Sequence, residues 1–393
     1  MDQRLLRGIR FFTEETGIMS CMAVCCGDRE RSFRAWDGDD TGEKSVYDLA
    51  SVTKLFTGIC AMKLMEDRRL RPDRKIIEIV PEFSFLGDTT VDEVMSFGAN
   101  LQTKGRIDMC PDAVSARECL FSAANAGKPG RRPYSDIPAM VMKYVIERAS
   151  GIPLAECVEE MILAPAGMRE TWAKVPPERI GDCRDYSGEY RIEKEKRIFR
   201  HGPEKGVPHD PKAGILQGAA GDLCGHAGLF STLGDMERFC RAILEGKLLS
   251  SGSLEKMAVN RTGKLLPDGT YSQFLGLMCY VRHPDQYYSE IPEYMGMKAF
   301  GIGGFTGNHV SVDPERGVFA VFLGNRVKDR LTVLIPEDGK TYADYGLNED
   351  GTGRITREDG VSVPSSVNYV HHKDRHLHSV IEEILGLEPV PFL

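Results

Sequence analysis

Asp48-Leu49-Ala50-Ser51-Val52-Thr53-Lys54-Leu55-Phe56 sets a hydroxyl and an amine three positions apart at the head of an apolar segment. On a helix, residues i and i+3 share a face, so the two side chains can exchange a proton. A serine hydroxyl is a poor nucleophile until a base takes that proton. From Val52 to about Leu70 the chain is apolar on nearly every side, with Leu55, Phe56, Ile59, Met62, Leu64 and Met65, the pattern of a helix buried all round. Lys54 is the exception there, and a buried lysine is costly without a partner. The spacing alone is weak. At serine and lysine frequencies of about 6% each, roughly one such pair arises by chance in a chain of this length, and Ser253-Leu254-Glu255-Lys256 is a second. Ser253, however, follows Ser250, Ser251 and Gly252 at a polar helix start, where a capping serine and an exposed lysine are enough to explain it. Read from residues alone, Ser51 and Lys54 stand evenly between catalysis and structure.

With 393 residues and a formal charge of −8, the chain can bury a large core and form two interleaved subdomains. Its Lys and Arg residues are scattered rather than gathered into a stripe, so the electrostatic footprint of a nucleic-acid binder is missing. Residues 1–17 carry Asp2, Arg4, Arg7, Arg10, Glu14 and Glu15 among their apolar positions, which reads as an amphipathic helix rather than a signal peptide and predicts a cytoplasmic protein. No stretch approaches the ~18 consecutive apolar residues of a membrane span. Eleven cysteines without a Cys-x-x-Cys pair read as reduced core thiols, not a disulfide framework or a zinc site.

Residues 18–26 are an apolar run ending in Gly27-Asp28, and residues 32–36 follow before a second Asp-Gly turn, a hairpin signature. Residues 308–313 and 318–324 are two further strands joined by Asp313-Pro314-Glu315-Arg316-Gly317. Helices lie between. One spans residues 135–150, with Pro138 in its first turn and Gly151 after its end, and Thr232-Leu233-Gly234-Asp235 opens another as a capping-box variant. Strands at both chain ends with helices between predict an α+β fold. Residues 1–70 and 265–393 would build one antiparallel sheet domain, and residues 71–264 a mainly helical one. Residues 328–366 turn polar and Gly-rich and read as an insertion, either a lid or an inert excursion.

Three ordered motifs carry a resemblance. Asp48-Leu49-Ala50-Ser51-Val52-Thr53-Lys54 is similar to the active-site serine motif of class C β-lactamases, low-molecular-weight penicillin-binding proteins and their esterase relatives. Pro133-Tyr134-Ser135-Asp136 resembles that family's second motif, whose tyrosine shuttles protons and whose third residue is usually Asn. Gly225-His226-Ala227-Gly228-Leu229-Phe230-Ser231-Thr232 resembles a shared segment that leads into a helix. The similarity runs from about residue 17 to 327. It implies the β-lactamase/transpeptidase-like fold, an antiparallel sheet flanked by helices plus a mainly helical domain. It also implies a serine hydrolase with Ser51 as nucleophile and Lys54 and Tyr134 as proton-transfer partners, needing no cofactor or metal.

The third motif departs from the family pattern. Where the family carries Lys-Thr-Gly or His-Thr-Gly, this chain reads Ile302-Gly303-Gly304, and an isoleucine offers nothing to a substrate carboxylate. Some esterase members likewise carry an apolar residue there. The resemblance assigns the oxyanion hole to the backbone N–H groups of Ser51 and Phe305, and the glycines at 303 and 304 would let an acyl group approach the strand. Asp136 in place of Asn accepts hydrogen bonds only and would hold a nearby Lys54 in its charged form. Lys54 would then be an electrostatic partner and orienter while Tyr134 transfers protons, with a neutral Lys54 base as the alternative. His209-Asp210 and His226 allow a Ser-His-Asp triad, but no Gly-x-Ser-x-Gly elbow accompanies them. His371, His372, His376 and His378 read as surface histidines near a helix end. The expected partner is a small-molecule or short-peptide substrate, and esters are favoured. A D-amino-acid peptidase or weak β-lactamase is the runner-up, and an inactive binding or sensor protein on the same fold is the third reading.

Overall fold

The strands foreseen at the two chain ends meet in one sheet. The computed structural model describes residues 1–217, 221–285 and 289–392. In chain order its principal strands are β1 (Cys21–Asp28), β2 (Ser32–Gly38), β3 (Glu189–Glu193), β4 (Lys196–Arg200), β5 (Tyr280–Val281), β6 (Phe300–Gly304), β7 (Asn308–Asp313), β8 (Val318–Gly324) and β9 (Leu331–Ile335). The helices that matter for the site are α1 (Gln3–Arg10), α2 (Thr53–Glu66), α3 (Ile137–Ser150), α4 (Pro211–Gln217), α5 (Leu233–Leu244) and α6 (Ser379–Leu385). The main sheet runs β5-β6-β7-β8-β1-β2, antiparallel throughout, with Ala23 opposite Leu323 and Ile302 opposite Val310.

Successive side chains on a strand point to opposite faces, and here both faces are buried. Cys21, Ala23 and Cys25 of β1, with Phe319, Val321 and Leu323 of β8, join a large core that includes α2 and α5. Met22, Val24 and Cys26, with Val318, Ala320 and Phe322, face a second core made by Leu5 and Ile9 of α1 and Ile381 and Ile384 of α6. That double burial explains why β1 and β8 read as unbroken apolar runs instead of alternating ones. On α2, every residue from Thr53 to Met62 is buried, as is Leu64. Among the described residues all eleven cysteines are free and nine are buried, so the thiols are core residues.

Other expectations meet differences. Residues 189–200, expected within a mainly helical stretch, form the β3–β4 hairpin, whose turn places Lys194 at φ +55°. A Lys-Glu turn carries none of the Asn-Gly or Asp-Gly chemistry that marks a hairpin in sequence. The segment after residue 328 joins this hairpin, with β9 running parallel to β3. The two share an apolar cluster of their own, Tyr190, Ile192, Leu331, Leu334, Leu347, Ile355, Val363 and Val367. Two of the four histidines near the C-terminus, His372 and His378, are buried rather than surface groups, and the half-buried His376 stacks on Phe11 at 3.5 Å between ring centroids. No described helix is long and apolar enough to cross a membrane.

Candidate active site

The turn that presents Ser51 is held from several directions. Asp48 is buried, and its carboxylate accepts the Ala50 N–H at 2.8 Å and the His209 N–H at 2.7 Å. Its backbone carbonyl accepts from Thr306 Oγ1 at 2.9 Å and Asn308 Nδ2 at 2.7 Å, which fixes the turn to the β6–β7 connection. Ala50 sits at φ +46°, a conformation an L-residue holds only where its surroundings enforce it. Gly304 is required where β6 meets this turn, since a Cβ there would lie 2.7 Å from the Leu49 carbonyl oxygen.

On this platform Lys54 Nζ donates to Ser51 Oγ at 2.9 Å, to Asp136 Oδ1 at 2.7 Å and to the His226 carbonyl at 3.2 Å. Lys54 is fully buried, so the three acceptors answer the question its sequence position raised. Tyr134 stacks between Phe97 and Tyr280, with centroids 5.5 and 5.3 Å away, and Lys54 Nζ lies 4.9 Å from its ring centre. Burial pushes the Tyr134 phenol well above its usual range, Asp136 adds to that rise, and a hydrogen bond with Ser51 opposes it. Asp136 stands at the N-cap of α3.

A second pair of charges completes the cluster, and the motifs gave no sign of it. Lys212, from the first turn of α4, reaches Asp136 Oδ2 at 3.1 Å and Asp210 Oδ2 at 3.0 Å. His226 Nε2 lies 3.0 Å from Asp210 Oδ1. Because Lys54 also meets the His226 carbonyl, the chain Lys54–Asp136–Lys212–Asp210–His226 closes into a ring. Burial would raise the Asp136 carboxyl, but Lys54, His226 and Lys212 together hold it below the usual carboxylate range. Burial likewise pulls the Lys212 ammonium down, and Asp136 and Asp210 more than restore it. Donor atoms of Asp136, Asp210 and His226 lie within 4.8 Å of one another, yet the Lys212 ammonium already bridges the two carboxylates. Among the described residues neither His226 nor His209 is a partner of Ser51. His226 faces Asp210, and His209 Nε2 lies 3.2 Å from Glu189 Oε2. These histidines and Asp210 therefore stand near Ser51 without bonding to it.

A cleft of about 820 Å³ opens over Ser51, lined also by Tyr134, Asp136, Gly303, Gly304 and Phe305. Two predicted site residues do not line it: Lys54, which is fully buried beside Ser51, and Ile302. The Ile302 side chain is fully buried in the main core, because it shares the inward face of β6 with Phe300 while Gly303 lies on the other face. The cleft's outer wall comes from the β3–β4 hairpin, through Arg191, Glu193, Ile198 and Arg200.

A β-lactamase family model matches residues 14–340. The chain belongs to the β-lactamase family. A relative named "Putative D-alanyl-D-alanine carboxypeptidase" from Escherichia coli (strain K12) is 24% identical over 311 residues, covering 72% of this chain and 69% of that protein. Among solved structures, a penicillin-binding protein homologue from Caulobacter crescentus superposes with a TM-score of 0.65 at 18% identity, covering 84% of this chain and 94% of that one. EstCE1, a hydrolase with promiscuous acyltransferase activity, superposes with a TM-score of 0.64 at 18% identity, covering 82% and 94%. The sheet, α2 and cleft described above are thus the β-lactamase/transpeptidase-like fold foreseen from the motifs. In this member of the β-lactamase family two lysines share Asp136 at the cleft, and the Ile302 side chain is turned into the core.

Proposed function

We propose that the chain hydrolyses a carboxylic ester or amide through an acyl-enzyme on Ser51. The observation that carries this reading is the 2.9 Å contact between the buried Lys54 Nζ and Ser51 Oγ inside a ring of paired charges. The reactive form is the one in which Tyr134 has lost its phenolic proton beside Lys54: Ser51 Oγ attacks the substrate carbonyl as its proton passes to that phenolate, with Lys54 orienting the hydroxyl and supplying positive charge. The backbone N–H groups of Ser51 and Phe305 receive the developing oxyanion. Tyr134 returns the proton to the leaving group, and water then attacks the acyl-enzyme by the same relay. Glycines at 303 and 304 leave the strand edge free of side chains beside the reacting carbonyl, with the Glu290 carboxylate against Gly303, which suits esters with a compact group there.

A second reading, a peptidase that cleaves before a C-terminal D-residue, draws support from the name of the Escherichia coli relative. The side chain of Ile302 lies outside the cleft, so it neither assists nor obstructs such a substrate. The intact contacts of Ser51, Lys54 and Asp136 argue against an inactive sensor.

Intact-mass measurement after parallel incubation with a fluorophosphonate, a penicillin and a p-nitrophenyl ester tests nucleophile and substrate class together. The expected adduct sits on Ser51 and disappears in Ser51→Ala, with ester turnover lower by at least ~10³-fold. An adduct on Ser253 or any other serine would refute the assignment.

A further inference from the structure

Five Arg and Lys side chains line the cleft among the described residues: Arg106, Arg191, Arg200, Lys212 and Arg326. Four are matched by a carboxylate. Arg106 meets Asp108 at 2.5 Å, Arg191 meets Glu193 at 2.7 Å, Arg200 meets Glu189 at 2.9 Å and Lys212 meets Asp210 at 3.0 Å. Arg326 has no carboxylate within 4.0 Å among the described residues, although it is only 6% exposed. A buried cation without a counter-charge is costly, and its persistence on the wall of a catalytic cleft asks for an anion from outside.

The surroundings hold the guanidinium in a fixed pose. Its centre lies 5.0 Å from the Phe305 ring centre and 4.4 Å from that of Tyr369. Nε donates to Ser366 Oγ at 3.3 Å and Nη2 donates to the Thr332 carbonyl. Tyr369 is a further hydrogen-bond partner. An arginine carries five N–H donors, so N–H groups remain for a planar oxyanion, the geometry guanidinium recognises best. The position is also suitable. Arg326, Tyr280, Glu290 and Tyr369 line both the main cleft and a second cavity of about 530 Å³, so the guanidinium stands where the two spaces meet. Phe305, the proposed oxyanion donor, is in direct contact with it. Glu290 is the one carboxylate at this junction, and it faces Lys373 at 3.5 Å and His309 at 3.4 Å.

We propose that Arg326 binds a carboxylate of the substrate, one side chain away from the reacting carbonyl, so that the preferred substrates are acidic esters or amides. This rests on the acyl-enzyme reading of Ser51 and narrows its substrate class. The anion is held from the β8 end and the hairpin side of the cleft, not from the third-motif position, where Ile302 is buried.

The test uses esters that carry a free carboxylate on either the acyl or the leaving side, each beside its methyl-ester twin. Wild-type protein is expected to favour the acidic twin of at least one pair in kcat/KM. Arg326→Met should lower that acid-to-neutral ratio by roughly 10- to 100-fold, the range of a charge-assisted hydrogen bond, and Arg326→Lys should keep part of it. A folded Arg326→Met variant with an unchanged ratio, or wild-type protein that favours the neutral twin in every pair, overturns the proposal. Should Arg326→Met not fold, wild-type protein decides. Glutarate or benzoate should inhibit neutral-ester turnover competitively, less so at high salt, and no inhibition by either overturns the proposal. Loss of all ester turnover together with an unlabelled Ser51 would instead overturn the hydrolase reading itself.

Discussion

Replacing Lys212 with methionine removes one positive charge from the ring around Ser51 and leaves every motif residue in place. Lys54 and Lys212 contact opposite oxygens of Asp136 at 2.7 and 3.1 Å, which sets their ammonium nitrogens on the order of 6 Å apart. At an effective dielectric of ~20–40, two unit charges at that separation interact by roughly 1.5–3 kcal/mol, or about 1–2 pH units. The Lys212 side chain is 22% exposed, so solvent screening favours the lower figure, about 1 unit. Loss of a neighbouring cation makes deprotonation of Tyr134 harder still, so the acid limb of kcat/KM moves to higher pH. Among the described residues, Asp136, Asp210, His226, Asp108, Glu290, Tyr280 and Tyr369 are other charged or titratable groups around the relay. The assay is the pH profile of ester hydrolysis for wild type, Lys212→Met and Lys212→Arg, with the arginine variant expected near wild type. A purely structural lysine would lower activity equally at all pH values. An acid limb that stays put in active Lys212→Met would refute the electrostatic reasoning.

Tyr134→Phe and Lys54→Ala should each cut turnover severely, while the double variant is scarcely worse than the worse single one, because groups in one relay are not additive. Full activity of Tyr134→Phe in a single-turnover assay would remove that residue from the proton path. Ile302→Lys should destabilise the protein by at least ~3 kcal/mol in a denaturant melt, since it drives an unpaired ammonium into the main core. It should bring no gain toward acidic substrates. A stable variant with such a gain would show that position 302 reaches the cleft.

The legible part of the site lay where chemistry and local order coincide. Ser51 and Lys54 share one helical turn, and an amine within an apolar helix announces itself as a residue in need of partners. Asp136, at the head of α3, was readable only through the resemblance of Pro133-Tyr134-Ser135-Asp136 to the family's second motif. Lys212 and Arg326 were not, because their roles come from tertiary neighbours: Lys212 matters only once α4 is laid against Asp136, and Arg326 only because Glu189 is taken by Arg200. Asp210 and His226 were noticed for a triad, yet their geometry joins them to Lys212 and not to Ser51. Ile302 did carry a signal. Phe300 and Ile302 alternate with Gly301 and Gly303, and that period-two pattern already points the isoleucine inward. The β3–β4 hairpin escaped because its turn uses ordinary residues, and the outer wall of the cleft escaped with it.

Asp48 closes the chain over very long distances. Its hydrogen bonds join residues 161, 258 and 260 positions away, at His209, Thr306 and Asn308. Contacts of such sequence separation incur the loop-closure cost in full before they return anything, and they characterise slow, late steps of folding. Ser51 can therefore stand beside a finished helix α2 and still be chemically silent until both halves of the chain have docked around that one residue. Competence toward an acylating probe becomes a clock for the last step of refolding, readable in a mixture where spectroscopy already reports native helix content.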